Sequence, residues 1–185
     1  MKIVVIDKKS RISIRPDNAV LRNNDDFYMP HFSQDIICDY GYVVRITRLA
    51  KCIAKKFASR CYDSITAGVT FIARDTMQQA IENRLPTDEA YCFDHSTAIG
   101  TEWLLPEQLT GECSLNLRIG EVNNSTMHSN VIEIIDQCLS DVSNKLTLKT
   151  GDLVFIASDS ANSVKEGDNI NVTINNTTTL NFQIK

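Results

Sequence analysis

Short runs of β-branched and other apolar residues recur along most of the chain, and polar turns separate them. The runs KIVVI at 2–6 and RISIR at 11–15, joined by a charged turn, predict an opening β-hairpin. Further strands are predicted at YVVRI (42–46), TAGVTFIA (66–73) and SLNLRIG (114–120). Three more follow in the C-terminal third, as DLVFIAS, NINVTI and TLNFQI with turns between them. The chain is therefore predicted to consist mainly of strands.

Three stretches have the pattern of a helix. Residues 52–65 carry an apolar side chain at every fourth position. Asp75 is the predicted N-cap of a short helix over 75–82, because its carboxylate can accept from free amide donors. The run VIEIIDQCLSDV at 131–142 has one apolar face, and the serine or the asparagine before it can cap it. Many strands with about three helices predict the α+β class, and residues 1–185, without any linker composition, predict one domain.

Composition and charge narrow the class of protein. Hydrophobic residues make up 43% of the 185 residues and charged residues 23%, as in ordinary globular domains. The 19 basic and 23 acidic side chains give a formal net charge of −4, which excludes an overall basic surface for nucleic acid. No apolar run is long enough for a signal peptide or a membrane span. We therefore expect a cytoplasmic protein with neither nucleic acid nor membrane as a partner.

General motifs identify no catalytic site. The six cysteines contain no CxxC pair, which argues against a zinc or thioredoxin-type site and favours reduced apolar side chains. The sequence has no glycine-rich phosphate loop, no HExxH and no GxSxG. The histidines His31, His95 and His128 fall in separate segments, and the adjacent acids Asp25 and Asp26 are typical of a solvent-facing loop. Composition and spacing alone lead only to an α+β domain.

Five short segments, in the order in which they occur, carry a family resemblance. They are RPDNAVLRNNDDFYMP (15–30), IICDYGYVVRITRLAK (36–51), ARDTMQ (73–78), CFDHSTAIG (92–100) and LTLKTGDLVF (146–155). Together they resemble the fumarylacetoacetate hydrolase family, which includes acylpyruvate hydrolases, oxaloacetate decarboxylases and 2-keto-4-pentenoate hydratase-like enzymes. The resemblance covers nearly the whole chain and implies a mixed β-roll or β-sandwich with about three peripheral helices.

The resemblance also implies a metal site. In that family a divalent cation, usually Mg²⁺ or Mn²⁺, is held by a Glu-x-Glu pair and a later aspartate. It chelates a small 2-oxo acid and stabilises the enolate formed when a C–C bond breaks. Matched without gaps, these ligand positions fall on Asp39, Gly41 and Thr70. Only Asp39 is still a carboxylate, the remnant of a metal site, so we expect no cofactor.

Other catalytic positions of the family are also changed. The lysine expected before the Phe93-Asp94 pair is Tyr91, and the Thr-Gly-Thr-Pro turn is IASD at 156–159. Ser158 retains a hydroxyl there, whereas Asp159 adds a negative charge where a substrate carboxylate would lie. The resemblance implies a catalytic histidine in a segment after the first strand, whereas here we expect that segment to be absent, because the first strands run directly into RPDN.

Part of the family pattern is retained. The retained positions are predicted to define turns and buried pairs of the fold, which do not depend on a metal; they are Arg74-Asp75, Gln78, Phe93-Asp94, Gly100 and Gly151-Asp152. Arg74, Gln78 and Ser158 are the predicted substrate-binding residues, because their side chains can still hold a polar or anionic ligand.

Two functions from different classes are compatible with this pattern. The first is a catalytically inactive member of the family, a pseudoenzyme, that binds a small 2-oxo acid or a protein partner. It would form a homodimer or a heterodimer with an active paralogue. The alternative is a Mg²⁺- or Mn²⁺-dependent hydrolase or decarboxylase of acylpyruvates or oxaloacetate, with a site rebuilt from Asp39 and either Asp94 or Asp159. A third hypothesis makes Cys38 a nucleophile or redox thiol beside the old pocket.

Overall fold

The computed structural model describes the backbone of residues 1–185 and the side chains of 1–158 and 162–185. The strands are β1 (Lys2–Ile6), β2 (Ile12–Pro16), β3 (Val20–Leu21), β4 (Ile36–Ile46), β5 (Tyr62–Ala73), β6 (Thr97–Ile99), β7 (Cys113–Ile119), β8 (Val122–His128), β9 (Leu153–Ser163), β10 (Asn169–Ile174) and β11 (Thr177–Gln183). The two α-helices are α1 (Arg74–Glu82) and α2 (Val131–Lys145). No helix within the described part of the chain is long and apolar enough to cross a membrane.

The strands form two sheets. Seven strands pair in the order β2-β1-β9-β4-β5-β6-β3, and four pair in the order β11-β10-β7-β8. The larger sheet curls so far that its edges approach one another: Arg15 on β2 donates hydrogen bonds to the carbonyl oxygens of Phe71 on β5 and Ser96 before β6, at 3.1 and 2.5 Å. The result is a curled half-barrel sheet with a concave inner face, packed against an antiparallel sheet.

Two apolar clusters fill the structure. The larger one combines buried side chains from the convex face of the curled sheet, from the four-stranded sheet and from α2. The smaller one lies on the concave face and includes Ile3, Val5, Val43 and Phe155. Successive residues of a strand point to opposite faces, so the long central strands β4 and β5 contribute to both clusters and are buried along almost their whole length.

The structure confirms the predicted α+β class and most of the predicted elements. Strands β1 and β2 form the opening antiparallel hairpin, and α2 begins after Asn130, whose Oδ1 accepts from the Glu133 amide at 3.1 Å. The prediction of a helix over 52–65 is wrong for most of that range. The structure has only a short 3₁₀ helix there, at Lys55–Arg60, and the residues from Tyr62 onward belong to β5. Pairing with β4 outweighs the local helical spacing there.

Two tight turns repeat the same sequence pattern and geometry. In KTGD (149–152) and KEGD (165–168) the aspartate carboxylate accepts from the backbone amide of the lysine, at 2.8 Å in both turns. The glycines have φ of +87° and +91°, a left-handed conformation that favours glycine. Only in the first turn does the aspartate side chain also hold another strand: Asp152 accepts from the Lys2 amide at 3.1 Å and forms an ion pair with Lys2 Nζ. Asp152 therefore joins β1 to the turn before β9.

Asp75 has a comparable anchoring role at the start of α1. Its carboxylate accepts from Ser33 Oγ at 2.6 Å and from the amides of Gln34 and Thr76, both at 2.8 Å. Burial raises the pKa of this carboxyl, but the hydrogen bonds from Ser33, Gln34 and Thr76 together lower it by a larger amount. The pKa of Asp75 therefore lies below its usual value. The charged carboxylate thus fixes the segment before β4 to α1.

Candidate functional site

A cavity of about 340 Å³ opens on the concave face of the curled sheet, next to the smaller apolar cluster. Strands β1, β2, β4 and β5 supply its walls, and Met77 of α1 and the loop residue Tyr91 border it. The lining combines apolar side chains with a few charged and hydroxyl groups, the composition typical of small-molecule pockets. This cavity contains the positions at which the resemblance locates the metal.

Asp39 and Thr70 lie side by side in the cavity wall. They are directly opposite in the antiparallel pairing of β4 with β5, which brings their side chains onto the same face as neighbours. Asp39 is buried, and Thr70 is completely buried with no hydrogen-bond partner for its Oγ1. A buried hydroxyl without a partner is costly, so the unused donor and acceptor of Thr70 mark an unsatisfied point in the cavity wall.

Gly41, the second metal-ligand position, is closed to any side chain. A Cβ built on Gly41 would lie 2.0 Å from the Ile156 carbonyl oxygen and 2.9 Å from the Ala157 Cα, both backbone atoms of β9. The strand β9 therefore occupies the space that a carboxylate at this position would need.

The donor groups present do not fit a divalent metal. Asp39 is the only carboxylate among the three expected ligands, and among the described side chains no group of three His, Cys, Asp or Glu converges. Mg²⁺ and Mn²⁺ require several oxygen ligands, of which carboxylates supply the charge. A buried arginine in the same cavity adds a repelling positive charge.

That arginine is Arg15, which sequence reasoning did not single out. It is 1% exposed, and its Nη1 donates to the Phe71 and Ser96 carbonyls and to Thr97 Oγ1 at 3.2 Å, whereas its Nε has no partner. Burial lowers the pKa of Arg15 to about 10, which leaves the guanidinium charged at neutral pH. The alternation in ISIRP favours the isoleucines as the buried face, yet Ile14 is 43% exposed. The local sequence pattern therefore gives no signal that Arg15 is buried at this point of β2 while Ile14 is exposed.

Tyr91, at the position of the family lysine, borders the cavity as a neutral phenol. Its hydroxyl donates to Met77 Sδ at 2.8 Å, and burial raises its pKa. At the cavity mouth Arg11 Nε and Asp7 Oδ2 form an ion pair at 2.5 Å, and the side chain of Arg11 is largely exposed. The tyrosine cannot replace the charge of a lysine, so the cavity has one buried cation, Arg15.

The predicted substrate-binding residues lie elsewhere. Arg74 forms a two-point ion pair with Asp35, at 2.6 and 2.9 Å, and Gln78 is exposed on α1; neither lines the cavity. Ser158 Oγ is 3.0 Å from His128 Nε2 on β8, which directs it toward the four-stranded sheet. The structure thus does not bring Arg74, Gln78 and Ser158 together.

The residues proposed for a rebuilt site are also separated. Asp94 accepts a hydrogen bond from Asn18 Nδ2 and does not line the cavity that contains Asp39. The side chain of Asp159 lies outside the described residues. Cys38 neighbours Asp39 in sequence but points to the other face of β4, where it is fully buried and burial strongly raises its thiol pKa. A buried thiol with a raised pKa is a poor nucleophile.

The unused hydroxyl of Thr70 leads to a stability prediction with a matched control. Thr66, also fully buried on β5, donates to the Glu102 carbonyl oxygen at 2.6 Å. Thr66→Val should lower the free energy of unfolding by about 1–2 kcal/mol, because a hydrogen bond is lost. Thr70→Val should leave it unchanged or raise it by up to about 1 kcal/mol, because no bond is lost. Urea unfolding of both variants measures the difference, and equal losses would contradict the assignment of Thr70 as unpartnered.

Comparisons with known proteins agree with this geometry. Residues 5–185 match the family model described as the fumarylacetoacetate (FAA) hydrolase C-terminal domain. No curated protein matches the chain.

Similar solved structures cover the whole chain at low identity. Fumarylpyruvate hydrolase from Pseudomonas aeruginosa, in complex with Mn²⁺ and pyruvate, is 16% identical over 100% of this chain and 89% of its own, with a TM-score of 0.87. 5-Carboxymethyl-2-hydroxymuconate delta-isomerase from Mycobacterium smegmatis is 17% identical over 99% of this chain and 78% of its own, with a TM-score of 0.84. 2-Hydroxyhepta-2,4-diene-1,7-dioate isomerase from Mycobacterium marinum is 20% identical over 99% and 73%, with a TM-score of 0.80.

At these identities the structural similarity establishes the fold, and the family model establishes the relationship. The model matches all but the first four residues. The chain belongs to the fumarylacetoacetate hydrolase family.

Proposed function

We propose that this chain is a non-catalytic member of the fumarylacetoacetate hydrolase family that keeps the family's cavity as a metal-independent ligand-binding site. The closed Gly41 position carries the proposal. With the Ile156 carbonyl oxygen 2.0 Å from a Gly41 Cβ, the second carboxylate cannot be regained by substitution alone. Loss of this ligand therefore involves the packing of β9 as well as one side chain.

The electrostatics of the cavity support the same proposal. The related Pseudomonas aeruginosa enzyme is described with Mn²⁺ and pyruvate. In this chain Asp39 is the one carboxylate at the implied ligand positions, beside the Thr70 hydroxyl and the buried Arg15 guanidinium, while Asp7 at the cavity mouth is paired with Arg11. A single carboxylate facing a fixed cation gives little attraction for a second cation. Without a bound divalent ion, the electron pair released by C–C cleavage of a 2-oxo acid has no stabilised position.

The neutral Tyr91 supports the loss of turnover as well. The family resemblance assigns a lysine there, whereas the phenol with its raised pKa stays protonated at neutral pH. It cannot supply a positive charge to activate water or substrate. Assembly into a homodimer, or with an active paralogue, stays a prediction.

A thermal-shift titration tests the absence of a metal site. We expect Mg²⁺ and Mn²⁺ at millimolar concentration to change Tm by less than about 1 °C, since a ligand that does not bind the native state cannot stabilise it. We expect no metal-dependent cleavage of acylpyruvates or oxaloacetate. Asp39→Ala and Asp94→Ala are the matched controls, one inside the cavity and one outside. A saturable rise in Tm with Mn²⁺ that Asp39→Ala abolishes would overturn the proposed function.

A further inference from the structure

Two buried polar atoms at the cavity lack hydrogen-bond partners: Arg15 Nε and Thr70 Oγ1. Within the described side chains these are the two such atoms. Unpartnered buried polar atoms are rare in native proteins, and each calls for a partner such as water or a ligand. Both residues line the same cavity, so one bound molecule could supply acceptors to both.

The charge of Arg15 gives the chemical nature of that molecule. Among the described residues no carboxylate lies within 4 Å of the guanidinium, whose three hydrogen bonds all go to neutral oxygens. A buried charge is normally paired with an opposite charge. An arginine presents N–H donors in a planar arrangement that suits a carboxylate. The guanidinium therefore has no contacting counter-ion among the described residues, and a bound anion would supply one, with Thr70 as a second donor to it.

Asp39 restricts which carboxylate fits. It lies opposite Thr70 in the strand pairing and interacts favourably with the Arg15 charge. An ionised carboxylate only accepts hydrogen bonds, so it favours a ligand that offers a donor beside its carboxylate. An acceptor such as a 2-oxo oxygen, or a second carboxylate, would be repelled. The remaining wall includes the apolar side chains of Val5, Ile37 and Ile72.

We propose that Arg15 takes the place of the metal as the cation of this cavity, and that the cavity binds small 2-hydroxy monocarboxylates in preference to 2-oxo acids. This inference rests on the proposed function, because it requires the cavity to work without a divalent ion. Arg15 Nε and Thr70 Oγ1 donate to the ligand carboxylate, and Asp39 accepts from its 2-hydroxyl group. No bond is made or broken.

Isothermal titration calorimetry of the full chain in EDTA tests the inference with lactate and pyruvate, which differ only in the hydroxyl or oxo group. We expect lactate to bind at least about tenfold more tightly than pyruvate, corresponding to one hydrogen bond gained and one repulsion avoided. Thr70→Val should weaken lactate binding about tenfold. Arg15→Gln should abolish it, and Thr66→Val, on the same strand but not lining the cavity, should leave it unchanged.

Each contrary result has a separate meaning. Unchanged lactate binding by Thr70→Val, which is expected to fold normally, overturns the assignment even if Arg15→Gln does not fold. Pyruvate binding in EDTA as tight as lactate binding overturns the role of Asp39. If neither acid binds with or without Mn²⁺, the inference fails while the proposed function stands. If either acid binds only when Mn²⁺ is added, both fail.

Discussion

Gly41→Glu, which would return a carboxylate to the second metal-ligand position, is expected to lower the free energy of unfolding by at least about 4 kcal/mol. Its Cβ would meet the backbone of β9, with the Ile156 carbonyl oxygen 2.0 Å away. Backbone atoms within a paired strand cannot move aside as a flexible side chain can, so β4 and β9 would have to separate locally. We expect little folded protein, and no Mn²⁺ binding by the soluble fraction. Circular dichroism with urea unfolding measures the loss.

Two further glycine variants test whether the expected loss of stability comes from the overlap of the Cβ at position 41 with β9. Gly41→Ala should lose nearly as much stability as Gly41→Glu, because the overlap already begins at the Cβ. Gly111→Ala is the matched control: nothing lies within 4 Å of its Cβ, although φ is +84°. It should cost only about 1 kcal/mol of backbone strain. A stable Gly41→Glu protein that binds Mn²⁺ would show that β9 yields, and that the cavity retains its affinity for metal.

Asp152→Ala is expected to lower the free energy of unfolding by about 3 kcal/mol, since it removes a buried carboxylate that joins two elements. Asp152 accepts from the amides of Lys2 and Lys149 and pairs with Lys2 Nζ. Asp168→Ala is the matched control within the second turn of the same pattern. Asp168 accepts from the Lys165 amide but forms no ion pair with a described residue, so its loss should cost only about 1 kcal/mol.

The Asp152 contribution should depend on pH. Burial raises the pKa of this carboxyl, but the hydrogen bonds from Lys2 and Lys149 lower it more, so the folded pKa lies below the ordinary value. The stabilisation is therefore present above about pH 4, the unfolded aspartate value, and is lost as the pH falls through the folded pKa. The stability difference between wild type and Asp152→Ala should shrink under acid conditions. A difference that stays constant from pH 7 to below pH 3 would contradict the charged role of Asp152.

The local pattern of apolar and polar residues correctly predicted most of the elements that have one buried face and one exposed face. The β1–β2 hairpin and α2 with its Asn130 cap are examples. Residues 52–65 are the exception: their every-fourth-residue spacing predicts a helix, whereas β5 begins at Tyr62. The pairing of β5 with β4 along their length stabilises the strand through contacts that are distant in sequence.

The candidate site was predictable only in part. Family resemblance located Asp39 and Thr70, and the structure brings both to one cavity. It also suggested Arg74, Gln78 and Ser158, which lie outside this cavity. Arg74 is held by its ion pair with Asp35, Gln78 is exposed on α1, and the Ser158 hydroxyl contacts His128. The partners in these two contacts, Asp35 and His128, are residues that the family motifs do not include.

The amino-acid sequence by itself determined the strand-rich α+β class, the family resemblance, and the presence of Gly41 and Thr70 at two of the three positions where the resemblance implies carboxylates. Only the tertiary structure decided that Gly41 is closed by β9 and that Arg15, not Ile14, is buried. The physical reason is that alternation along a strand defines two faces but not which of them is enclosed. That choice follows from the curl of the seven-stranded sheet, which brings β2 close to β5 and β6 and encloses a charged side chain on an edge strand.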